Sequence, residues 1–392
     1  MLPLAGITVI ALEQAVAAPF ATRQLADLGA RVIKIERPGA GDFARRYDET
    51  VRGMSSHFVW LNRSKESLTL DLKHPEAEAI IHRLLTEADV FIQNLAPGAV
   101  ERLGLGPDEL TARYPRLITC SISGYGSSGP YREKKAYDLL VQCETGLVSI
   151  TGAPDTPSKA GISAADIAAG MYAYSGILTA LYQRERTGEG AALEVSMFEA
   201  LGEWMGYPAY YAAYGGREPP RAGASHATIA PYGPFRCADG HEINLGVQNE
   251  REWERFCAQV LQRPEVASDP RFQTNVLRVA NREALYAIIN EVFGRLTTDD
   301  VATRLDQAQI ANARMNTMRE FWEHPQLNAR GRWRTVHSPV GSLRALTPPV
   351  TQHGMEARMD PIPAVGEHTD AILTALGYSV EQISQLRAQG AI

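Results

Sequence analysis

The stretch GITVIALEQAVAAPFATRQLADLGARVIKIE, residues 6–36, decides the fold. Its opening GITVIAL (6–12) is a nearly continuous apolar run without the polar alternation of a half-exposed strand, so a strand covered on both faces is expected. PFATRQLADLGA (19–30) carries apolar residues at helical spacing and closes on Gly29, a residue that readily takes the left-handed conformation ending helices. RVIKIE (31–36) is a second buried-strand run. A strand, a helix and a strand within about thirty residues form a β-α-β unit, and strands joined by a helical crossover lie parallel.

The alternation continues outward. ESLTLDL (66–72), a helix from Pro75 to about Glu87, DVFIQN (89–94), a helix near Ala99 and RLITCSISGYG (116–126) follow in turn. A long helix after Ser163 ends at RERTGEG (184–190), and AALEVSMFEALGEWM (191–205) adds another strand and helix. The expected class is therefore α/β, with a Rossmann-like parallel sheet in a large domain of residues 1–215. The Gly/Pro-rich YGGREPPRAGASHATIAPYGPF (214–235) breaks the pattern and reads as a boundary. A smaller α+β domain with its linker is expected over 216–327. A C-terminal segment, 328–392, is expected to return to the large domain and to end in the helix GEHTDAILTALG (366–377). The first strand leads into EQAVAAPFA (13–21) and not into GxGxxG, which argues against a dinucleotide bound in the usual way.

Length and composition narrow the function. A chain of 392 residues exceeds one ordinary core, and 45% hydrophobic content, 21% charged content and a net charge of −6 describe a soluble globular protein. No basic footprint for nucleic acid is present. MLPLAGITVIALEQ (1–14) lacks a basic n-region and a cleavage site, so a cytoplasmic location without a signal peptide is expected. Cys120, Cys143, Cys237 and Cys257 show neither CxxC spacing nor a nearby histidine pattern, and read as reduced core residues with no metal site implied.

GISAADIAAGMYAYSGILTAL (161–181) holds a single charged residue, Asp166. Two readings compete. Ser163 followed by Asp166 resembles a capping box, with Ser163 as N-cap. The helix that follows is apolar on nearly every face, with Gly170 and Gly176 leaving room for close packing, so it is expected to be buried. A membrane span is disfavoured by the embedded carboxylate and the two glycines. A buried carboxylate at a helix N-terminus, favoured there by the free N–H groups and the dipole, would alternatively be a desolvated but ionised nucleophile.

Taken together, LADLGARVIKIERPGAGD (25–42), SLTLDLKHPE (67–76), FIQNLAPGAVERLGL (91–105), ISGYGSSGPY (122–131), the Asp166 segment with RTGEG (186–190), PYGPF (231–235) and GEHTD (366–370) make the chain resemble the class III CoA-transferases. That family includes formyl-CoA transferase and shares its fold with α-methylacyl-CoA racemase. The resemblance covers nearly the whole chain and rests on the order and spacing of the motifs.

The resemblance implies that Asp166 is a nucleophile forming first a mixed anhydride and then an aspartyl-CoA thioester. It implies a CoA site lined by Ala15, Val16, Arg37, Leu70, Asn94, Arg102 and Lys135, with CoA as a thioester substrate and no cofactor. At the Val16 position formyl-CoA transferase has glutamine, and Lys134 lies directly beside Lys135. Tyr137 stands where the racemase branch has a histidine, before the aspartate equivalent to Asp138. An unperturbed tyrosine, with a pKa of about 10, is poorly suited to two-base proton exchange near neutrality. His226 lies in a segment that replaces the family's glycine-rich loop and is a candidate substrate contact. IANARMNTMREFWEHPQLNARGRW (310–333) resembles members acting on short dicarboxylates such as citramalate, itaconate or mesaconate. Arg45, Arg46 and Arg52 are candidate partners for a distal carboxylate. The expected reaction moves CoA from an acyl-CoA, with succinyl-CoA as the favoured donor, to a small dicarboxylic acid in an interlocked homodimer. The alternatives are a racemase-type isomerase and an intramolecular transfer between two carboxyls of one acid.

Overall fold

A computed structural model describes residues 1–392. Strands β1 (Thr8–Leu12), β2 (Arg31–Glu36), β3 (Lys65–Thr69), β4 (Val90–Gln93), β5 (Ile118–Ser123) and β6 (Ala192–Ser196) form one sheet in the order β3-β2-β1-β4-β5-β6. Every pairing is parallel, with Val9 opposite Val32 on one side and Val90 on the other. The apolar run read as a fully covered strand is the sheet's centre, where Val9, Ile10 and Ala11 are all buried. Strand order reverses between β1 and β4. In open parallel sheets such a switch point leaves a crevice beyond the carboxyl ends of the strands, because the flanking helices diverge there.

One sheet face supplies Ile10, Leu12, Ile33, Ile35, Leu68 and Phe91 to a core completed by Ile80 and Leu84 and by Ile372, Leu373, Ile383 and Leu386 of the C-terminal helices. The last four belong to two helices, Thr369–Ala375 and Val380–Ala388, so the helix within GEHTDAILTALG is the last but one and not the final helix. The segment before them closes the edge of β3. Ser64 N–H donates to Pro361 O at 3.0 Å, His368 N–H to Ser67 O at 3.0 Å, and Thr69 N–H to Thr369 Oγ1 at 3.0 Å. An edge strand left open would be a template for aggregation.

Helix α1 (Ala17–Asp27) follows β1, α2 (Asp138–Glu144) follows β5, and α3 (Ala164–Thr187) is the long helix carrying Asp166. α3 packs along α1, β5 and β6. Its burial is one-sided, contrary to the expectation from its composition. Ala165, Ala168, Ala169, Ala173 and Ile177 are enclosed, whereas Met171, Tyr172 and Tyr182 are exposed. Small residues face inward because α1 lies so close: a Cβ on Gly170 would stand 2.6 Å from Ala17 O.

The chain divides into two compact units, residues 1–146, 160–207 and 326–392 forming the first, and residues 147–159 and 208–325 the second. In the second, β7 (Tyr232–Arg236), β8 (Glu242–Gly246) and β9 (Ala311–Arg314) form an antiparallel sheet with β8 central. Helices cover it around Phe235, Trp253, Phe256, Ile289 and Phe293. No helix is long and apolar enough to cross a membrane. Cys120, Cys237 and Cys257 are buried; Cys143, on α2, is exposed and so is not a core residue.

Candidate active site

α3 runs antiparallel to the strands. Near its C-terminus Arg184 pairs with Asp89 at 2.8 Å, just before β4 begins, and Gly190 N–H donates to Pro115 O at 2.8 Å ahead of β5. Its N-terminus, with Asp166 in the first turn, therefore lies at the carboxyl edge of the sheet, beside the start of α1. The residues that follow strand ends converge on this edge: Ala15 and Val16 after β1, Arg37 after β2, Leu70 after β3, Asn94 and Arg102 after β4, and Lys135, Tyr137 and Asp138 after β5.

Ser163 occupies the N-cap position of α3, but its side chain makes no capping hydrogen bond. Asp138 supplies it instead. Its Oδ1 accepts from Ala165 N–H at 2.8 Å and from Asp166 N–H at 3.2 Å, while Oδ2 accepts from Gln142 Nε2 at 2.6 Å. Gln142 is fully buried and also accepts the Ala160 N–H at 3.0 Å. The capping carboxylate thus comes from the N-terminus of a different helix, a pairing that local spacing does not reveal.

Asp166 itself keeps its carboxylate free of hydrogen bonds within the chain; its neighbours act on it by charge and by burial. Burial, and secondarily the Asp138 charge, push its carboxyl up to about 7. This corrects the expectation of a wholly ionised group at neutral pH: desolvation and a like charge outweigh the helix N-terminus. By surface area the residue is half-buried and so not sealed from solvent.

Tyr47, which the sequence reading did not single out, belongs to this group. Its hydroxyl is raised to about 12 by burial first, and then by the charges of Asp42 and Asp166 and by Tyr137. It follows the short 3-10 turn Phe43–Arg46 and packs edge-on against His57, ring centroids 5.3 Å apart. A phenol held protonated beside a carboxylate is a hydrogen-bond donor at every physiological pH.

The remaining candidates sort by their partners. Asn94 clamps the turn after β1: Gln14 N–H donates to its Oδ1 at 2.9 Å and its Nδ2 donates to Gln14 O at 2.9 Å. Ala15 holds a left-handed φ of 60°, and Val16 is buried. Arg37, Arg46 and Lys135 are exposed, and their side chains make no hydrogen bond or ion pair in the chain. Lys134 pairs with Glu144 and lies over the Tyr131 ring at 4.1 Å, so of the two adjacent lysines Lys135 is the uncommitted one. Arg102 is exposed, with its guanidinium over Gly98.

The other four candidates have partners of their own. The Leu70 side chain is enclosed in the core, leaving only its main chain for a ligand. Arg45 is spent on the scaffold: it grips Glu36 through Nε at 2.8 Å and NH2 at 2.7 Å and lies over the Phe58 ring at 3.6 Å. Arg52 is turned to Ser342 O at 3.3 Å. His226 lies in the second unit, stacked on Tyr232 at 5.2 Å, with Thr228 N–H donating to its Nδ1 at 3.2 Å. No set of three or more His, Cys, Asp or Glu side chains is arranged to hold a metal ion.

Known proteins share this arrangement of motifs. Residues 4–369 match the sequence profile of CoA-transferase family III. The chain is 33% identical over 397 residues to Homo sapiens succinyl-CoA:glutarate CoA-transferase, covering 100% of this chain and 90% of that protein. It is 34% identical over 398 residues to succinyl-CoA–D-citramalate CoA-transferase of Chloroflexus aurantiacus, covering 100% of this chain and 98% of that one. Among solved structures, a CAIB/BAIF family protein from Brucella suis superposes with a TM-score of 0.83 at 34% identity, covering 96% of this chain and 99% of that one. The chain belongs to CoA-transferase family III.

Proposed function

We propose that this enzyme moves CoA from a donor such as succinyl-CoA to a small dicarboxylic acid, with Asp166 as the covalent relay. The observation that carries the proposal is a carboxylate with no hydrogen-bond partner, held by its own backbone at the carboxyl edge of the sheet. Relatives that transfer CoA between succinate and glutarate, citramalate or malate support the substrate class.

The ionised Asp166 attacks the donor thioester carbonyl; a C–O bond forms, the C–S bond breaks, and CoA leaves as thiolate. The thiolate attacks the aspartyl carbonyl of the mixed anhydride, releasing the donor carboxylate and leaving an aspartyl-CoA thioester. The acceptor carboxylate then repeats the first step on this thioester and the thiolate the second, regenerating Asp166. Each step exchanges one activated acyl group for another, so no step must expel a poor leaving group. Arg37, Arg102 and Lys135 suit the phosphates of the CoA nucleotide, and the main chain at Ala15, Val16 and Leu70 borders its pantetheine arm. Asn94 acts by holding the Ala15 turn. Tyr47 and Tyr137 donate to the developing oxyanion or to a substrate carboxylate, and Arg46 is the uncommitted cation for a distal carboxylate.

A racemase-type reaction needs a second base opposite Asp166. Tyr47 is held protonated up to about 12, and both Asp138 oxygens are occupied. The exposed Leu139, Leu140, Met171, Tyr172, Phe198 and Trp204 of the first unit favour a homodimer that covers them. Incubation with succinyl-CoA and a panel of free dicarboxylates, with mass detection of new CoA esters, tests the assignment. New esters of glutarate, citramalate or malate are expected. Formation of none, with isomerisation of a single CoA ester instead, would contradict it.

A further inference from the structure

Beneath the turn carrying Ala15 and Val16 lies a cluster of six charged side chains that the reaction above does not use: Glu13, Lys34, Glu36, Asp42, Arg45 and Lys65. Lys34 Nζ donates to Asp42 Oδ2 at 2.8 Å and to Glu13 O at 3.2 Å. Lys65 Nζ donates to Glu13 Oε1 at 2.7 Å, and Thr22 Oγ1 donates to Glu13 Oε2 at 2.6 Å. Glu36 accepts the Asp42 N–H at 2.8 Å besides its two bonds from Arg45. The side chains of Lys34, Lys65, Glu13 and Glu36 are fully enclosed. The cluster is formally neutral, three cations against three carboxylates.

Burying so many charges is costly, and apolar residues of similar volume would give equal or greater stability. What apolar residues cannot give is directed hydrogen bonding to nearby main chain, and here that bonding goes to two turns. Asp42 Oδ1 accepts from Ala15 N–H at 3.1 Å and from Ala44 N–H at 2.9 Å. The first bond holds Ala15 at a left-handed φ of 60°, which a residue with a Cβ keeps only when its surroundings enforce it. The second fixes the Phe43–Arg46 turn, which delivers Arg46 and Tyr47. Ala15 leads into the start of α1, against which the first turns of α3 close at Gly170, and the Tyr47 hydroxyl feels the Asp166 charge.

We propose that Asp42 is a positioning residue for CoA transfer: one carboxylate oxygen sets both the Ala15 main chain and the Phe43–Arg46 turn beside Asp166, and Lys34 holds that carboxylate in register. Asp42 touches no substrate. It acts through Ala15 and through Tyr47. The inference rests on the reading of Asp166 given above. If the unaltered enzyme shows no CoA transfer to any dicarboxylate, that reading fails; the comparison below concerns Asp42 alone.

Two double variants separate positioning from bulk stability. Asp42→Asn/Lys34→Met and Asp42→Ala/Lys34→Met remove the same pair of charges, but only the first keeps an acceptor for the two N–H groups. The expected result is that the Asn double retains kcat within about fivefold, while the Ala double loses on the order of tenfold to a hundredfold, the scale of an ångström of misplacement. The Kd for adenosine 3′,5′-bisphosphate, the nucleotide end of CoA, should stay within about twofold in both, because the nucleotide contacts lie away from Ala15. Equal kcat in the two folded doubles would overturn the proposal, as would a parallel loss of adenosine 3′,5′-bisphosphate affinity and kcat in the Ala double. If either double fails to fold, Asp42→Glu takes its place; it keeps charge and acceptor but displaces the oxygen by a methylene. A lowered kcat with unchanged adenosine 3′,5′-bisphosphate affinity supports the proposal, and wild-type kcat overturns it.

Discussion

Asp138 Oδ1 accepts the backbone N–H of Asp166 at 3.2 Å, so the two carboxylates are linked through main chain and not through a shared proton. Asp138 thereby holds the first turn of α3 and places a negative charge beside Asp166. That charge, after burial, raises the Asp166 carboxyl to about 7.

A pH dependence follows with a definite sign. Attack requires ionised Asp166, so kcat/KM for the acyl-CoA should rise with pH through about 7 and level off above it. Asp138→Asn keeps an acceptor for Ala165 and Asp166 and removes the charge, so the limb should move to lower pH. Folded Asp166 holds its proton more tightly than unfolded Asp166, so the native state loses stability as pH rises from about 4 to about 7. Asp166→Asn should therefore raise Tm at pH 8 more than at pH 5, by a stabilisation of no more than about 4 kcal/mol. A Tm gain independent of pH would refute the assigned shift.

Gly170→Ala should damage both stability and turnover. Its Cβ would meet Ala17 O at 2.6 Å, and backbone cannot yield as a flexible side chain does. Overpacking of this kind costs about 1–3 kcal/mol. Because the displaced turn carries Asp166, kcat should fall as well. Gly176→Ala is the control: its Cβ would make ordinary contact with Leu193 at 3.6 Å, and helix propensity favours alanine. Chemical denaturation and steady-state kinetics on both variants check the pair.

Most of the sheet was legible because buried parallel strands are apolar runs and each is followed by a helical period. GITVIAL and RVIKIE became β1 and β2 for that reason. That the candidate residues meet at one edge was legible once the strand order was known, since loops after parallel strands end on the same side of the sheet. What one sequence could not show was which polar groups are already spent. Arg45 and Arg46 are neighbours of the same type, yet Glu36 and Phe58 claim only the first. Lys134 and Lys135 divide in the same way over Glu144. Asp138 reads locally as the start of its own helix, and its capping of α3 spans 27 residues of chain. The brief passage of residues 147–159 into the second unit is marked only by the turn-rich GAPDTPS (152–158), too short to read as a domain boundary.

Arg37→Ala should raise the KM for acyl-CoA on the order of tenfold with little change in kcat, since a remote phosphate contact binds ground and transition states alike. Lys135→Ala should behave similarly, and Lys134→Ala less, because Lys134 is paired with Glu144. Isothermal titration with free CoA and initial rates distinguish these cases. A larger effect from Lys134 would reverse the assignment of the two lysines.

Arg46→Ala should raise the KM for a dicarboxylate acceptor by about tenfold to a hundredfold and leave a monocarboxylate of equal length nearly unaffected. Arg45→Ala should act through stability instead, costing about 3–5 kcal/mol by leaving the enclosed Glu36 without its cation. Thermal unfolding and acceptor kinetics on both variants test the division. An Arg45 variant with full stability and lost dicarboxylate preference would exchange the two roles.

The central claim is that Asp166 carries the acyl group covalently. Incubating the enzyme with succinyl-CoA, quenching with hydroxylamine and mapping peptides by mass spectrometry reads this directly, because an anhydride or aspartyl thioester becomes a hydroxamate. The account predicts a hydroxamate on Asp166, absent from Asp166→Ala, which should also lose nearly all transfer activity. Undiminished CoA transfer by Asp166→Ala, or a hydroxamate on any other carboxylate, would contradict it.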